Sequence, residues 1–407
     1  MPTVTATSNE YTRFMTEMFD ENKKVKVPSA FLGGFFGKPE TGAVTHFVTD
    51  AGTIEIDQMR VDGRRLARLV NRDGTSKDIT RQETLTADKY TNIVRQWPLI
   101  EIPASISANE LLQRNPGDTP FDIKTQQSRL LGKATRLHRE AVNRHMRTWE
   151  FLARQSILDG EHDMILGTAN ADLKYDFYRK STHTFAVGAK WDIVGTDIIG
   201  DFDTAISLIQ QDSNNFGDYG ALVGVAGMEG LRKNTQMKAE ADIRRYEFVE
   251  LGERPINLPS KFQIYVDNGF ALAGKVRTYQ NRTVYLFTYD LTFTDDFTTP
   301  GVDTETKWMP TDKCLVFSPD ARCDKLFGPP NRMPITDVER QWFAEMFGFN
   351  MEAAPMPDNV MNPSTFDMRA FYFDADGSRE AVRLYTQSAP IFPTTESDAF
   401  VTMTGLV

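Results

Sequence analysis

The sequence predicts a mixed α+β fold in which strands and helices alternate irregularly. Three observations support this fold class: one unusually long stretch of helical periodicity, β-rich segments on both sides of it, and the lack of any internal repeat or low-complexity tract in the sequence. The chain has 407 residues, of which 40% are hydrophobic and 25% charged. It is therefore long enough to bury a large core, divided among two or three folding units.

The long helix is predicted from about residue 122 to residue 159, directly before Gly160. At about 1.5 Å per residue it spans roughly 50 Å, the length of a strut. One face repeats apolar and aromatic side chains, with His145 and Trp149 among them, at spacings of three and four. The opposite face is basic, and it is either a solvated face or one turned towards a neighbouring subunit or DNA. Its residues are Lys124, Arg129, Lys133, Arg136, Arg139, Arg144 and Arg147.

The β-rich segment before the helix covers residues 45–102. It contains Asp73-Gly74, a hairpin signal between extended segments, so a long two-stranded excursion is predicted. The other predicted strands lie at residues 175–187, 221–226, 261–267, 283–293 and 400–403. Helices are predicted at 202–210, from about residue 228 and at 336–347, and a C-terminal hairpin is predicted around Asp376-Gly377.

Composition limits the classes of function. A formal net charge of -10 argues against a surface built throughout to neutralise phosphate, so any nucleic-acid contact is expected to be local. The two cysteines, Cys314 and Cys323, have no metal-binding spacing, which indicates a reducing compartment and no structural zinc. No export signal is predicted, and no segment approaches the length of apolar sequence that spans a membrane.

The usual sequence signatures of catalysis are absent. Serine-hydrolase, metalloprotease and phosphate-binding-loop motifs do not occur. His138 and His145 share a helix face but are about 10.5 Å apart along the axis, too far to bind one metal ion, and we interpret them as packed helix residues. Gly224, Gly227 and Gly230 have the wrong spacing for dinucleotide binding and suit a tight strand-to-helix turn. We therefore predict no catalytic residue, no metal site and no cofactor.

Three segments carry a resemblance to a known family. They are WEFLARQSILDGEHDMILG at residues 149–167, ALVGVAGMEGLRKNTQMKAEADIRR at 221–245 and TQSAPIFPTTESDAFVTMTGLV at 386–407. With the order of hairpin, long helix, α/β unit and returning β segment, they resemble the lambda-type major capsid protein E family of tailed bacteriophages. Residues 267–313 and 329–370 are longer than the pattern of that family.

The resemblance implies a Hong Kong 97-type capsid fold with a long spine helix, an extended β-hairpin called the E-loop, and peripheral and axial domains. The implied divisions are an N-terminal arm at residues 1–44, the E-loop at 45–104, a peripheral domain with the spine helix at 105–192, an axial domain at 193–363 and a return to the peripheral domain at 364–407. The implied function is that of a structural subunit, not an enzyme, which self-assembles into the icosahedral shell around the phage genome.

The resemblance also implies partners and a location. The subunit is expected to join copies of itself in hexamers and pentamers, to use a scaffolding protein during assembly, and to meet a portal, a decoration protein and packaged double-stranded DNA through weak non-specific contacts. No membrane is involved. Assembly is expected in the bacterial host cytoplasm, and the product is the capsid of the virion.

The predicted interface is the basic part of the hairpin. Between residues 60 and 81 the chain has seven basic and three acidic residues, a surplus of four positive charges in a protein of net charge -10. Such an arm is expected to contact the acidic surface of another copy, although a merely solvated loop is the simpler reading. The arginines predicted at the subunit interface are Arg60, Arg64, Arg65, Arg68, Arg72 and Arg81.

Two alternatives from other classes remain open at this point. One is a hydrolytic enzyme that uses paired carboxylates such as Asp295 and Asp296, although pairs of this kind are common by chance among 56 acidic residues. The other is a different virion part, such as a portal or tail subunit.

Overall fold

The structure, a computed structural model, describes residues 29–37, 53–60, 89–96, 100–107, 126–163, 174–242, 249–251, 258–295, 304–327, 371–375 and 381–407. Its helices and strands alternate irregularly, as the α+β class predicts. The helices are α1 (Ala30–Gly34), α2 (Gln126–Leu158), α3 (Ile198–Ser213), α4 (Val225–Lys233), α5 (Thr235–Asp242) and α6 (Ser260–Asp267), and short 3-10 helices occupy Ser181–His183 and Ser397–Ala399.

The strands form one large sheet and several small ones. They are β1 (Thr53–Arg60), β2 (Lys89–Gln96), β3 (Ile100–Ser107), β4 (Glu161–Asp163), β5 (Lys174–Asp176), β6 (Thr184–Ala186), β7 (Tyr219–Val223), β8 (Val249–Leu251), β9 (Ala271–Arg277), β10 (Thr283–Thr288), β11 (Thr292–Asp295), β12 (Thr304–Lys307), β13 (Cys314–Phe317), β14 (Leu326–Phe327), β15 (Phe371–Ala375), β16 (Ala381–Ser388), β17 (Pro390–Ile391) and β18 (Phe400–Thr404).

The large sheet has seven strands in the order β6-β18-β13-β7-β10-β9-β8, and a three-stranded sheet has the order β15-β16-β3. The pairs β1-β2, β4-β5, β11-β12 and β14-β17 make two-stranded sheets. The seven-stranded sheet joins β6, from the predicted peripheral segment, and the C-terminal β18 to strands of the predicted axial segment. The division into peripheral and axial domains stays a prediction.

The seven-stranded sheet is buried on both faces. Successive side chains of a strand point to opposite faces, and along β13 Val316 joins one core while Leu315 and Phe317 join another. The first core is covered by α3, through Phe202 and other apolar residues of that helix. The second core contains the C-terminal half of α2 and a group of aromatic rings. Among the described side chains of the long helix, those that join this second core lie between Val142 and Leu158.

The segment predicted as an N-terminal arm contributes directly to this second core. Phe31, Phe35 and Phe36 of the sequence AFLGGFFG are almost completely buried. The Phe35 ring lies 5.0 Å from that of Tyr265 and 4.9 Å from that of Phe317, both at edge-to-face angles that aromatic pairs favour. Burying a phenylalanine contributes roughly 1.5–3 kcal/mol. Residues 30–36 are therefore an integral part of the subunit core.

Several sequence predictions are confirmed. The long helix is present as α2, with 33 residues. The excursion around Asp73-Gly74 begins and ends as an antiparallel pair of β1 with β2. The C-terminal hairpin is the antiparallel pair of β15 with β16, and the last predicted strand is β18. The helix predicted at residues 336–347 lies outside the described residues.

Three predictions of local structure are wrong. Residues 261–267, predicted as a strand, form α6, because Phe262 and Tyr265 are the pair that is fully buried and a spacing of three is helical. The strand predicted at 221–226 ends at Val223, and α4 begins at Val225, before the expected position. Gly224 makes this turn possible, since a Cβ there would lie 2.1 Å from the carbonyl oxygen of Pro310.

The third error is the single strand predicted at residues 283–293. It is divided into β10 and β11, which belong to different sheets. Both pieces have β-forming sequences. The interruption at residues 289–291 is therefore not visible in the alternation of apolar and polar side chains.

The long helix ends at Gly160, as the sequence predicts. Gly160 has a φ of +75°, the left-handed conformation common after a helix C-terminus, and its amide donates to the carbonyl oxygen of Gln155. A Cβ on Gly160 would lie 3.0 Å from the Cβ and Nε atoms of Arg179. Both the backbone conformation and the neighbouring side chain therefore favour glycine.

We predict that Gly160→Val destabilises the subunit by about 2 kcal/mol, because a β-branched residue is strained in the left-handed region and would displace Arg179. Urea denaturation of the unassembled subunit measures this. Gly188→Val is the matched control, since nothing lies within 4 Å of a Cβ at that exposed position. Equal stability of the two variants would show that Gly160 does not limit the end of the helix.

Candidate functional site

The hairpin strands form a ribbon of their own. All eight residues of β1 pair with β2, from Thr53 opposite Gln96 to Arg60 opposite Lys89. Eight residues at about 3.4 Å each make a ribbon about 27 Å long. Neither strand pairs with a third strand among the described residues. An isolated two-stranded ribbon is marginal in water, so this part of the chain is the kind of element that a neighbouring surface stabilises.

Of the six arginines predicted at the interface, only Arg60 lies in the described part of the chain. It is the last residue of β1 and lies opposite Lys89 of β2. The other five, which lie between the end of β1 and the start of β2, are outside the described residues. They are Arg64, Arg65, Arg68, Arg72 and Arg81.

The base of the hairpin is joined to the three-stranded sheet. Residues 97–99 connect β2 to β3, and β3 pairs along its whole length with β16. The strand β3 alternates exposed residues with residues turned inward, and Ile106 is fully buried. The sheet packs on α2, so the hairpin is connected through one strand to the long helix.

A chain of buried polar groups links α2 to this sheet. Trp149 Nε1 donates to Ser388 Oγ at 3.1 Å, and Ser388 Oγ lies 2.9 Å from His145 Nδ1. His145 Nε2 lies 3.1 Å from Thr386 Oγ1, which donates to the Ile102 carbonyl oxygen. These contacts join the helix to β16 and β3 in an interior where unpaired polar groups are costly.

The directions of these hydrogen bonds define which ring nitrogen of His145 carries the hydrogen. Because the Ser388 hydroxyl accepts from Trp149, its own hydrogen points to Nδ1, which must be an acceptor. Nε2 then carries the hydrogen and donates to Thr386. Burial lowers the pKa of His145 to about 4, in agreement with a neutral ring. His145 is thus the packed helix histidine that the sequence predicts, whereas nothing is described of the His138 side chain.

A buried carboxylate links α2 to the N-terminal segment. Glu150 is fully buried, and its two oxygens accept hydrogen bonds from successive backbone amides, Oε1 from Phe31 at 2.7 Å and Oε2 from Leu32 at 2.8 Å. These are among the first amides of α1, which have no partner within the helix, and a negative charge at a helix N-terminus is favourable. Glu150 thereby holds α1 against the long helix.

Burial raises the pKa of Glu150 to about 7, whereas the backbone amides and the charge of Lys325 favour the ionised form. Burial likewise lowers the pKa of Lys325, and Glu150 opposes that change. Removing one partner of such a buried arrangement is destabilising, because the other group is left without compensation.

The C-terminal end of α2 is held by Arg179. Its guanidinium donates to the carbonyl oxygens of Ser156, Ile157 and Leu158, at 3.1, 2.7 and 3.0 Å. These carbonyls lack partners within the helix, and a cation complements the negative end of the helix dipole. Thr402 of β18 donates a further hydrogen bond to Leu158. The end of the long helix is thus connected to the seven-stranded sheet.

The opposite face of α2 is basic and open to solvent. Arg136, Arg139, Arg144 and Arg147 are exposed, and Arg144 forms an ion pair of 2.9 Å with Glu140 on the same helix. Four of the seven residues predicted on the basic face are therefore exposed, Arg129 and Lys133 are half-buried, and Lys124 lies outside the described residues.

Groups with catalytic potential are few in the described part of the chain. Ser156 and His162 are hydrogen-bonded, but both are fully buried, and the serine also donates to the Phe392 carbonyl oxygen. No cluster of three or more metal-ligating side chains occurs among the described residues. In the same residues, no helix combines the length and the apolar composition needed to cross a bilayer.

Sequence reasoning missed the residues that hold α2 in place. Glu150 lies within the apolar run WEFLA, and a carboxylate there is the signal that an amide or a cation must be close by. The burial of Phe31, Phe35 and Phe36 was signalled by the density of aromatic residues in this part of the N-terminal segment.

 These three phenylalanines fall within six residues, and so dense an aromatic group is typical of a core.

The chain is similar to known proteins in sequence and in structure. Residues 53–339 match the model of the family described as phage major capsid protein E. Among solved structures, the chain is similar to a protein assigned as a prophage capsid protein of Escherichia coli CFT073, with 14% identity and a TM-score of 0.55 over 98% of this chain and 99% of that chain. A phage-related protein of Bordetella bronchiseptica RB50 aligns with 9% identity and a TM-score of 0.46 over 96% and 97% of the two chains. No curated protein matches at a significant level.

We predict that Glu150→Gln changes how the stability of the unassembled subunit depends on pH. Because the pKa of Glu150 is raised from 4.5 to about 7 on folding, its contribution to stability is fully present below pH 4.5 and is lost as the pH rises through 7. By linkage, the stability of the wild type relative to the variant should therefore fall by about 3 kcal/mol between pH 4.5 and pH 8.

Urea denaturation at a series of pH values measures this difference. Titrating histidines such as His145 are present in both proteins, so their contributions to the pH dependence of stability cancel. Glu140→Gln is the control, because it removes an exposed carboxylate from the same helix. Parallel stability curves for the wild type and Glu150→Gln would contradict the assignment of a buried, titrating carboxylate.

Proposed function

The chain belongs to the phage major capsid protein E family, and from this membership we propose how its subunits join in the shell. The fold is the Hong Kong 97-type capsid fold that the sequence resemblance implies. The protein is a major capsid protein, a structural subunit that associates with copies of itself to form the shell of the virion. What remains to be proposed is which surfaces meet.

The proposed contact is made by the hairpin that begins with β1 and ends with β2. The observation that carries it is a ribbon of two eight-residue strands without a third strand among the described residues. Such a ribbon lacks a core of its own and gains stability on another surface. The basic residues at 60–81, in a chain of net charge -10, make the acidic surface of a second copy the complementary partner.

The arrangement of domains follows from the same proposal. Residues 1–44 form an arm whose residues 30–36 are fixed in the core, and residues 45–104 form the hairpin that lies over a neighbour. Residues 105–192 and 364–407 form a peripheral domain, and residues 193–363 form an axial domain near the symmetry axes of hexamers and pentamers. The contacts of α2 with β16, and of β16 with β3, support this proposal, because they connect the hairpin base to the rest of the subunit.

The further partners belong to the proposal as well. We infer that assembly takes place in the host cytoplasm with a scaffolding protein, and that the shell meets a portal, a decoration protein and packaged double-stranded DNA. The subunit needs no catalytic residue, metal ion or cofactor for this role, since the contacts between copies are apolar and ionic.

Negative-stain electron microscopy of the purified protein tests the proposed function. Closed shells, or hexamers and pentamers, are expected. Rings of one fixed order would indicate a portal subunit, and monomers that hydrolyse a substrate would indicate an enzyme. Either of these results would overturn the proposal.

We predict that Arg64, Arg65 and Arg68 changed together to Glu leave the subunit folded and soluble but block shell formation. Single exposed ion pairs contribute little and are screened beyond about 10 Å at 0.1 M salt, so the combined change is needed and wild-type assembly should weaken in high salt. Assembly is measured by light scattering and by electron microscopy.

The matched control changes Lys190, Arg232 and Lys238 together to Glu, which alters the net charge equally at exposed positions outside the hairpin. If the hairpin variant forms normal shells, or if both variants fail to the same extent, the basic residues of the hairpin do not guide assembly.

A further inference from the structure

The exposed face of α2 has a marked excess of positive charge. The helix contains seven basic residues and two acidic ones. One of the acidic residues, Glu150, is buried one turn after Arg147 and bonded to α1. The other, Glu140, pairs with Arg144. We call the exposed set Arg136, Arg139, Arg144 and Arg147 the arginine face.

The arginine face is centred on the side of α2 opposite His145. At about 100° per residue, Arg136 and Arg147 lie within about 20° of each other around the helix axis, whereas His145 lies about 180° from Arg136. His145 is the residue that contacts β16, so the arginines are opposite the three-stranded sheet. Arg136 and Arg147 are about 16 Å apart along the axis.

This part of the subunit consists of two layers, the helix and the sheet. The outward side of β3 presents Glu101, Pro103 and Ser105, which are all exposed. The two surfaces therefore differ in charge: the helix side is basic, and the strand on the sheet side presents one acidic and two uncharged residues. In a shell one subunit thick, one of two such surfaces faces inward.

We propose that the arginine face lies on the inner surface of the shell and binds the phosphates of the packaged duplex DNA. This inference rests on the proposed function, since it presumes a closed shell around DNA. It assigns the contact to four residues of one helix, and it makes the contact independent of base sequence, because arginines on phosphates position a duplex without reading it.

The composition of the face favours DNA over a second copy of the protein. An interface between proteins has an apolar centre in which charged residues are depleted. Of the exposed residues that the structure describes on this side of α2, all but Gly132 are charged: four arginines and Glu140. Duplex DNA has about one negative charge per 1.7 Å of axis, so a stripe of about 16 Å finds phosphates in any register.

The contact also offsets the electrostatic repulsion between the subunit and DNA. A subunit with a net charge of -10 repels DNA unless part of its positive charge is gathered on the surface that meets it. The affinity of one subunit is expected to be low. A shell presents the same face many times to one long duplex, so weak contacts add up through multivalency.

The test compares the wild-type subunit with the variant in which Arg136, Arg139 and Arg147 are changed to Gln. The probe is a labelled duplex of about 25 base pairs with the unassembled subunit, measured by fluorescence anisotropy between 50 and 200 mM salt. We expect the variant to bind at least about tenfold more weakly at 50 mM, with a salt dependence whose slope is smaller by about 2 to 3, since about 0.9 is lost per phosphate contact.

The control variant changes Lys190, Arg232 and Lys238 to Gln, which lowers the net charge equally at exposed sites elsewhere. Its binding should stay within about twofold of the wild type. An equal loss in both variants would show that only net charge matters, and an arginine-face variant that binds DNA normally but no longer assembles would show that the face meets another copy. Both results would overturn the proposal.

A second measurement fixes the direction of the face. Closed shells assembled without DNA should bind the external duplex much more weakly per subunit than the unassembled protein does, because the arginine face is then enclosed. Equal binding by shells and subunits would place the face outside and contradict the proposal. Failure of the wild type to form any shell is a separate result, which would count against the proposed function instead.

Discussion

The structure depends on one constraint: the C-terminal half of α2 buries polar groups that must each find a partner from another part of the chain. Glu150 takes two amides of α1, His145 and Trp149 take side chains of β16, and the last carbonyls of the helix take Arg179 and Thr402. An unpaired buried polar group costs about 1–3 kcal/mol, and a charged one more. The N-terminal segment, the three-stranded sheet and the seven-stranded sheet are therefore fixed to one helix.

These contacts of α2 connect the fold to the function of the subunit. The hairpin is attached to the body through β3, and β3 is attached to α2 through β16 and the polar chain of His145. The strands β3 and β16 therefore connect the hairpin to the long helix and, through it, to the second core. The four exposed arginines of the same helix remain available for a second kind of contact.

The sequence predicts the large elements of this arrangement but not the long-range hydrogen bonds that hold them together. The periodicity of α2, the glycine at its end and the two hairpins are local signals, and each is confirmed. The prediction of a strand at 261–267 is wrong because its short apolar pattern suits helix and strand equally. Packing in the core selects the helix. The bonds of Glu150 to residues 31 and 32, and of Arg179 to the end of α2, join distant parts of the chain, and no local pattern shows which distant group a buried charge will meet.

Hydrogen exchange of the unassembled subunit tests the central claim most directly. If Glu150 fixes α1 in the core, peptides that cover residues 29–37 should exchange as slowly as peptides from residues 142–158, because the amides of Phe31 and Leu32 are released only when the core opens. Exchange of residues 29–37 at the rate of exposed chain, while residues 142–158 stay protected, would show that the N-terminal segment is not part of the core and would contradict the account.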